Sequence, residues 1–266
     1  MDFRYLLLCA LVVPLSAGAQ VSPAPSDTAL SGITMRGRFL AAYDRAAWHG
    51  SDAFLARMPN PVGVEGFLAS QDHSGTWHVL FGRLNPAGDT LFIVARADQS
   101  SAPDSFRVDT PVPQSVGSST ERLAFRAMRT AGADLKAGPR AFGGTYNSYV
   151  VPRMEGGWLV YFLPAQQRQG VYLHGGDYRY VISPDGSAIQ SKFQMHRTVL
   201  NQSVPEDAFA GVHTVVVGDV PQDSDVFLVL SRKPLKPELV VTEHFNFQIQ
   251  TDGSITWTYR KQGDQH

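Results

Sequence analysis

The only cysteine among the 266 residues is Cys9, which lies inside an apolar N-terminal run. We expect that run to be removed, so the mature chain would contain no thiol. The absence of a thiol excludes disulfides, cysteine nucleophiles, thiolate zinc sites and iron–sulfur clusters. Hydrophobic residues make up 43% of the chain and charged residues 18%, which is typical of a globular protein with material for a sizeable core.

The N-terminus has the three parts of a secretory signal peptide. Arg4 provides a basic start, Leu6 to Leu15 is apolar, and Ala17-Gly18-Ala19 is a cleavage site. The apolar run is about 10 residues long, whereas roughly 20 are needed to span a bilayer. We therefore predict a signal peptide over residues 1–19 and a Pro/Ser-rich linker over 20–28. The mature protein would be secreted or periplasmic, without a transmembrane segment.

The net charge of −1 indicates neither a nucleic-acid partner nor binding to an anionic membrane. Hydrophobic residues at spacings of three and four predict a helix from Met35 to Arg57. Alternating residues predict a β-hairpin over residues 76–97, paired with a strand near Gly66 to Ser70. Residues 29–100 would thus form one helix on a small antiparallel sheet.

Residues 98–118 are rich in Ser, Pro and Asp and are the best candidate for a boundary. A second helix is predicted over Glu121–Arg129, with Gly132 as its stop. The chain up to residue 262 is then mostly strand. The pattern predicts strands at 146–151, 158–162, 178–182, 188–195, 210–217, 239–242, 245–250 and 255–259, with a short helical stretch over 225–231. The fold class is α+β, with a β-rich region carrying short helices over residues 119–262.

The usual catalytic motifs are missing: the sequence contains no G-x-S-x-G, Walker loop, H-E-x-x-H or G-x-G-x-x-G after a strand. The four tryptophans lie in apolar periodic stretches, so packing is a better explanation for them than stacking on a sugar. Four of the eight histidines belong to the C-terminal β region, and any one of them alone would be interpreted as an ordinary exposed or hydrogen-bonded imidazole; these are His174, His196, His213 and His244.

His213 is the most informative histidine, because a short loop and an Asp that opens a helix come after it. A histidine on a strand and Asp225 at the helix start could converge on one metal ion. Strand alternation places Val215 on the same face as His213, at the position where a second ligand would complete the site. The acidic run with Asp219 and Asp223 lacks the Gly and Glu of a calcium loop, so a role in capping the helix is favoured.

From about Ser119 onward, the order of elements and the His…Asp pair resemble the JAMM (JAB/MPN-type) metalloprotease family. The motif of that family is H-x-H-P followed by S-x-x-D, with a Glu from an earlier strand. The resemblance implies that His213 and Asp225 bind zinc and that Glu155 handles the proton of a zinc-bound water. This sequence departs from the motif at three positions: Val215 replaces the second His, Val216 the Pro and Gln222 the Ser. The spacing from His213 to Asp225 is also one residue shorter than the family pattern. The hairpin region also resembles uncharacterised secreted bacterial proteins.

Catalytic zinc normally has three protein ligands and a water, so His213 and Asp225 would need a third ligand from His196 or His174. Two functions are consistent with this pattern. The first is an exported, non-catalytic binding module on a hydrolase-like scaffold, which receives a protein or peptide of the cell envelope by β-augmentation. The alternative is a zinc-dependent, JAMM-like peptidase or isopeptidase. The cofactor is therefore either Zn²⁺ or none.

Overall fold

The computed structural model describes residues 22–111, 115–168, 170–203, 205 and 207–260. This part of the chain contains three α-helices and fifteen β-strands, so the predicted α+β class is confirmed. The predicted signal peptide lies outside the described residues. Among the residues that are described, no helix combines the length and the apolar character needed to cross a bilayer.

The helices are α1 (Asp27–Arg57), α2 (Ser119–Ala137) and α3 (Asp223–Ser231). The strands, in chain order, are β1 (Gly66–Gln71), β2 (Trp77–Leu84), β3 (Leu91–Gln99), β4 (Phe106–Asp109), β5 (Ser115–Val116), β6 (Tyr146–Pro152), β7 (Trp158–Pro164), β8 (Tyr172–Gly175), β9 (Tyr178–Ile182), β10 (Ile189–Gln194), β11 (Val199–Gln202), β12 (Gly211–Thr214), β13 (Glu238–Val241), β14 (Phe245–Ile249) and β15 (Ile255–Tyr259).

All three helices are longer than the sequence predicts, α3 by only two residues at its start and α1 and α2 by two turns or more. The first begins at Asp27 because the Ser26 hydroxyl accepts a hydrogen bond of 3.2 Å from the Ala29 N–H, so the end of the predicted linker is helical. The second runs through Gly132, the predicted stop, to Ala137. Its last turns bury Ala131 and Leu135, and this packing offsets the helix-breaking tendency of the glycine.

The first sheet has the order β1-β2-β3-β4, and β5 pairs with β3 beside it. The predicted hairpin is therefore present, and the predicted strand near residue 66 pairs with it. Composition favours a boundary over residues 98–118, but this segment contributes β4 and β5 to the sheet. Phe106 and Val108 of β4 pack against a core cluster, which explains why this polar segment is ordered as a strand.

The second sheet has the order β10-β9-β7-β6 and is antiparallel. Strands β8 and β11, which the sequence did not predict, form a separate two-stranded pair. The last sheet has the order β12-β13-β14-β15, with β12 parallel to β13 and the other pairs antiparallel.

Helices α1 and α2 cover opposite faces of the first two sheets. Leu80 and Val160 face the core under α2, whereas their strand neighbours Val79 and Tyr161 face the core under α1. Successive residues of a strand point to opposite faces, so each of these two sheets contributes buried residues from both of its faces.

A third core lies between the start of α1, helix α3 and the last sheet. The two helices cross at Gly37, where a Cβ atom would overlap with Val226 of α3. This close crossing holds the first turn of α3, with its two buried aspartates Asp223 and Asp225, between α1 and β8, the strand that carries His174.

Candidate metal centre

Three histidines and one aspartate converge at a buried point where four elements meet. They are His174 on β8, His196 two residues after β10, His213 on β12 and Asp225 in the first turn of α3. One potential ligand atom from each residue lies within 4.8 Å of the others. The most exposed of the four, His196, has only 6% of its surface accessible.

The carboxylate of Asp225 is at the centre of this group. Its Oδ2 accepts a hydrogen bond of 2.7 Å from the Gln222 N–H at the helix start, which fixes the side chain. Its Oδ1 is thereby turned toward the imidazoles. The distances from Oδ1 to the Nε2 atoms of His174, His196 and His213 are 3.0, 3.1 and 3.2 Å.

Two of the imidazoles are oriented from behind by a carboxylate. Asp177 lies 3.0 Å from Nδ1 of His196, and Glu238 lies 2.8 Å from Nδ1 of His213. Glu238 is in turn held by Arg232 at 2.6 Å. A carboxylate on Nδ1 keeps the proton there, so that the Nε2 lone pair of each neutral ring points into the cluster.

The atoms at the centre are poorly satisfied as hydrogen-bonding groups. Nε2 of His196 and Oδ1 of Asp225 are both buried and lie 3.1 Å apart, but they are not aligned as a hydrogen bond. The Nε2 atoms of His174 and His213 face each other at 3.3 Å. Buried polar atoms are almost always paired, and unpaired ones carry a desolvation cost of about 1–3 kcal/mol. A cation bound between these atoms would satisfy all four.

In the metal-free protein, charges within the cluster decide which imidazoles are protonated. Burial by itself would lower the pKa of His196, but Asp225 and Asp177 outweigh it and raise that pKa to about 11. For His213, Asp225 and Glu238 likewise outweigh burial and raise the pKa to about 9. Burial lowers the pKa of His174, and its two neighbouring imidazoles add to that effect.

The carboxylates at the centre remain ionised. Burial would raise the pKa of Asp225, but the adjacent His196 and His213 bring it well below its ordinary value. The pKa values of Asp177 and Glu238 are also lowered, against the effect of burial, by the histidine that each contacts. Two imidazolium groups and Arg232 therefore balance three carboxylates. A divalent cation with three neutral imidazoles would leave the same total charge.

A cavity of about 160 Å³ reaches the cluster from one side. All three histidines contribute to its wall, and its other residues come from the segments around the ends of β8, β10 and β12; they are Gly175, Arg197, Thr198, Leu200, Thr214, Val216 and Val217. The cavity provides a route along which an ion can reach the ligands.

The structure brings together His213 and Asp225, which the sequence singled out, with both candidates for a further ligand, His196 and His174. Val215, at the position of the second histidine in the JAMM-type motif, is instead buried in the third core. Glu155 is not brought to the cluster. Its side chain is 75% exposed in the turn between β6 and β7 and lies 3.6 Å from Arg153.

Asp219 and Asp223, the other two aspartates of the acidic run, do not face the cluster around Asp225. Asp219 lies 2.6 Å from Nδ1 of His244, and Asp223 is paired with Arg36 and Arg179. Because they have protein partners of their own, they do not form a common site with Asp225.

Two carboxylates of the centre, Asp177 and Glu238, are not predicted by any motif in the sequence. A Glu at the start of an apolar strand was the available signal for Glu238. Asp177 follows a glycine pair without any distinguishing pattern, so nothing local in the sequence marks it.

No protein-family model, no curated protein and no solved structure matches this chain, so its function is inferred from the arrangement of its own residues.

Proposed function

We propose that the protein binds one zinc ion through His174, His196, His213 and Asp225. The observation that carries the proposal is the convergence of three Nε2 atoms on one carboxylate oxygen, at 3.0 to 3.2 Å, in a buried site. Without a metal, Nε2 of His196 and Oδ1 of Asp225 are in contact but make no well-aligned hydrogen bond.

Zinc is the cation that suits this ligand set best. Imidazole nitrogen and carboxylate oxygen bind Zn²⁺ at about 2.0–2.2 Å, which in a tetrahedron separates neighbouring ligand atoms by about 3.3 Å. The separations of the three Nε2 atoms from Oδ1 of Asp225, 3.0 to 3.2 Å, and the 3.3 Å between the Nε2 atoms of His174 and His213 are close to this value. Calcium and magnesium prefer sites composed of oxygen ligands, and three imidazoles argue against both.

A non-catalytic role is the function we favour. Four protein ligands complete a tetrahedral zinc site, whereas catalytic zinc keeps one position for water. The ligands come from β8, the segment after β10, β12 and α3, so that the ion would fasten elements that are distant in sequence. The protein would then be an exported envelope module in which zinc stabilises a surface that binds a protein or peptide.

A zinc-dependent peptidase, as the JAMM-type resemblance implies, is the second candidate. One observation favours it: the cavity beside the cluster is lined by all three histidines, so a small group could approach the ion. The role proposed for Glu155 has no support in its position on an exposed turn. A peptidase would need another residue to handle the proton of the attacking water.

The test is the zinc content of the full chain, purified without chelators and measured by elemental analysis beside His213→Ala. We expect about one zinc per chain in the wild type and a loss of zinc in the variant. The matched control is His244→Ala, which removes a histidine that is paired with Asp219 outside the cluster. This control should keep its zinc.

A wild-type protein that contains no metal and gains no thermal stability from added zinc would refute the proposal. Equal zinc in the wild type and in His213→Ala would place the ion elsewhere. Zinc-dependent cleavage of a peptide library that is lost in His213→Ala would favour the peptidase over the non-catalytic module.

A further inference from the structure

A groove between α1 and the second sheet has an apolar floor and a positively charged end. The floor is a row of side chains across three strands, because Val151 of β6 lies opposite Leu159 of β7, which lies opposite Val181 of β9. Directly paired residues share one face of a sheet, so these three form a continuous half-buried strip. Met35 and Phe39 of α1 form the wall, and the groove has a volume of about 570 Å³.

The charged end of the groove is built on Asp223. Its Oδ2 accepts hydrogen bonds of 3.0 Å from Arg36, 2.7 Å from Arg179 and 2.8 Å from the Tyr161 hydroxyl. Asp223 is fully buried, whereas the side chains of Arg36 and Arg179 are 32% and 26% exposed. The carboxylate thus holds both guanidinium groups from behind while part of each faces the groove.

The charges at this end do not balance. Within the described part of the chain, Asp223 is the only carboxylate within 4.0 Å of either arginine, so two positive charges face a single negative one. Arg153, which also lines the groove, is paired with Glu155. One positive charge is left for a ligand, which matches a singly charged anion and not a dianion such as a phosphate monoester.

Large apolar side chains around the groove are unusually exposed. Met35 is 62% exposed on α1 and Met154 is 99% exposed in the turn between β6 and β7. Methionine is flexible and adapts its shape to apolar ligands. An apolar strip of this kind, with a few charged groups at one end, is typical of a pocket for an amphipathic small molecule.

We propose that this groove binds a carboxylate with an unbranched alkyl tail, of the fatty-acid type. The carboxylate would lie against Arg36 and Arg179, and the tail would run over Val151, Leu159 and Val181. This site is separate from the metal centre, although Asp223 and Asp225 belong to the same helical turn.

The experiment is a calorimetric titration of the full chain with decanoate, 1-decanol and decyltrimethylammonium, all with the same tail. We expect decanoate to bind with one molecule per chain, at least about tenfold more tightly than decanol, and the cation to bind least. Decyl phosphate, which can carry two negative charges, tests whether the groove has only one positive charge that is not neutralised. It should bind no more tightly than decanoate.

Variants separate the two halves of the groove. Arg36→Met and Arg179→Met should each weaken decanoate about tenfold and leave decanol unchanged, since each variant still leaves Asp223 one arginine. Leu159→Ser should weaken decanoate and decanol alike. The control is Arg38→Met, which removes an α1 arginine that contacts Asp252 outside the groove and should have no effect.

The proposal fails if wild-type protein does not bind decanoate, if decanol binds equally well, or if Arg38→Met weakens decanoate as much as Arg36→Met does. Melting temperatures identify any variant that fails to fold, and Leu159→Ser then tests the floor without altering a charge. His213→Ala should bind decanoate normally. Loss of zinc and loss of decanoate binding are therefore distinguishable results.

Discussion

Asp223 and Asp225 are two residues apart in the first turn of α3, and both are fully buried, yet their surroundings differ. Asp223 faces two guanidinium groups and a tyrosine hydroxyl, all of which are permanent donors at neutral pH. Oδ1 of Asp225 faces three imidazoles. An imidazole donates a hydrogen bond through Nε2 only when that atom is protonated.

The difference shows that burial of a carboxylate does not by itself indicate a ligand site. Arginine is always charged and has no lone pair to offer a metal, so the Asp223 cluster is an ion-pair network. Histidine can exchange its proton for a metal ion, so the Asp225 cluster can exist in two forms of equal charge. Substitutions at the two aspartates and changes of pH test this distinction.

Asp225→Asn should have the largest effect on metal binding. Structural zinc sites contribute about 10–16 kcal/mol, so that one ligand of four accounts for roughly 3–4 kcal/mol, or about 100- to 1,000-fold in Kd. Competition with a chromophoric zinc chelator measures this change directly.

Asp223→Asn is the matched control, because it makes the same chemical change two residues away. We expect its zinc affinity to stay within about tenfold of wild type, while its free energy of unfolding falls by about 2–4 kcal/mol. The loss should be toward the lower end because the two arginines are partly solvated. A larger loss of zinc in Asp223→Asn than in Asp225→Asn would reverse our assignment of the two sites.

The affinity for zinc should rise steeply with pH. In the metal-free protein the pKa of His213 is raised to about 9 and that of His196 to about 11, so that zinc must displace two protons at neutral pH. The affinity should therefore increase about 100-fold per pH unit between about pH 7 and pH 9. A series of chelator competitions across this range gives the slope, and a slope near zero would contradict the proton exchange.

The stability of the metal-free protein should show the opposite trend. A histidine whose pKa is raised by folding stabilises the fold fully below its unfolded pKa of about 6.5, and this contribution is lost as the pH rises through 9 and then 11. Denaturation of metal-free and zinc-loaded protein should thus diverge at alkaline pH, with the zinc-loaded form retaining its stability.

Asp177→Asn should have the smallest effect. The amide oxygen can still accept the Nδ1 proton of His196, so the ring keeps its orientation but loses the adjacent negative charge. We expect zinc to bind about tenfold more weakly, with unchanged stoichiometry at saturation. The control is Asp219→Asn, which makes the same change beside His244 and should leave the zinc affinity unaltered. An identical loss in both variants would mean that the effect is not local.

Local patterns in the sequence were sufficient for most of the secondary structure. The helix ending at Arg57, the hairpin of β2 and β3 and the strands of the second sheet are predicted by periodicity and turn residues, which depend on near neighbours. The continuation of α2 through Gly132 and the order of β4 depend on distant packing partners. Strand β8, which carries His174, is only four residues long and pairs with β11 some 25 residues later.

The candidate site divides in the same way. The sequence by itself determined that His213 on β12 and Asp225 at the start of α3 could bind one ion together. Both lie within one short stretch whose local structure can be predicted from neighbouring residues. Only the tertiary structure decided that His174 and His196 complete the group, that Val215 belongs to a core and that Glu155 lies elsewhere. Ligand convergence depends on how β8, β10, β12 and α3 pack, and packing brings together residues whose separation in sequence carries no periodic signal.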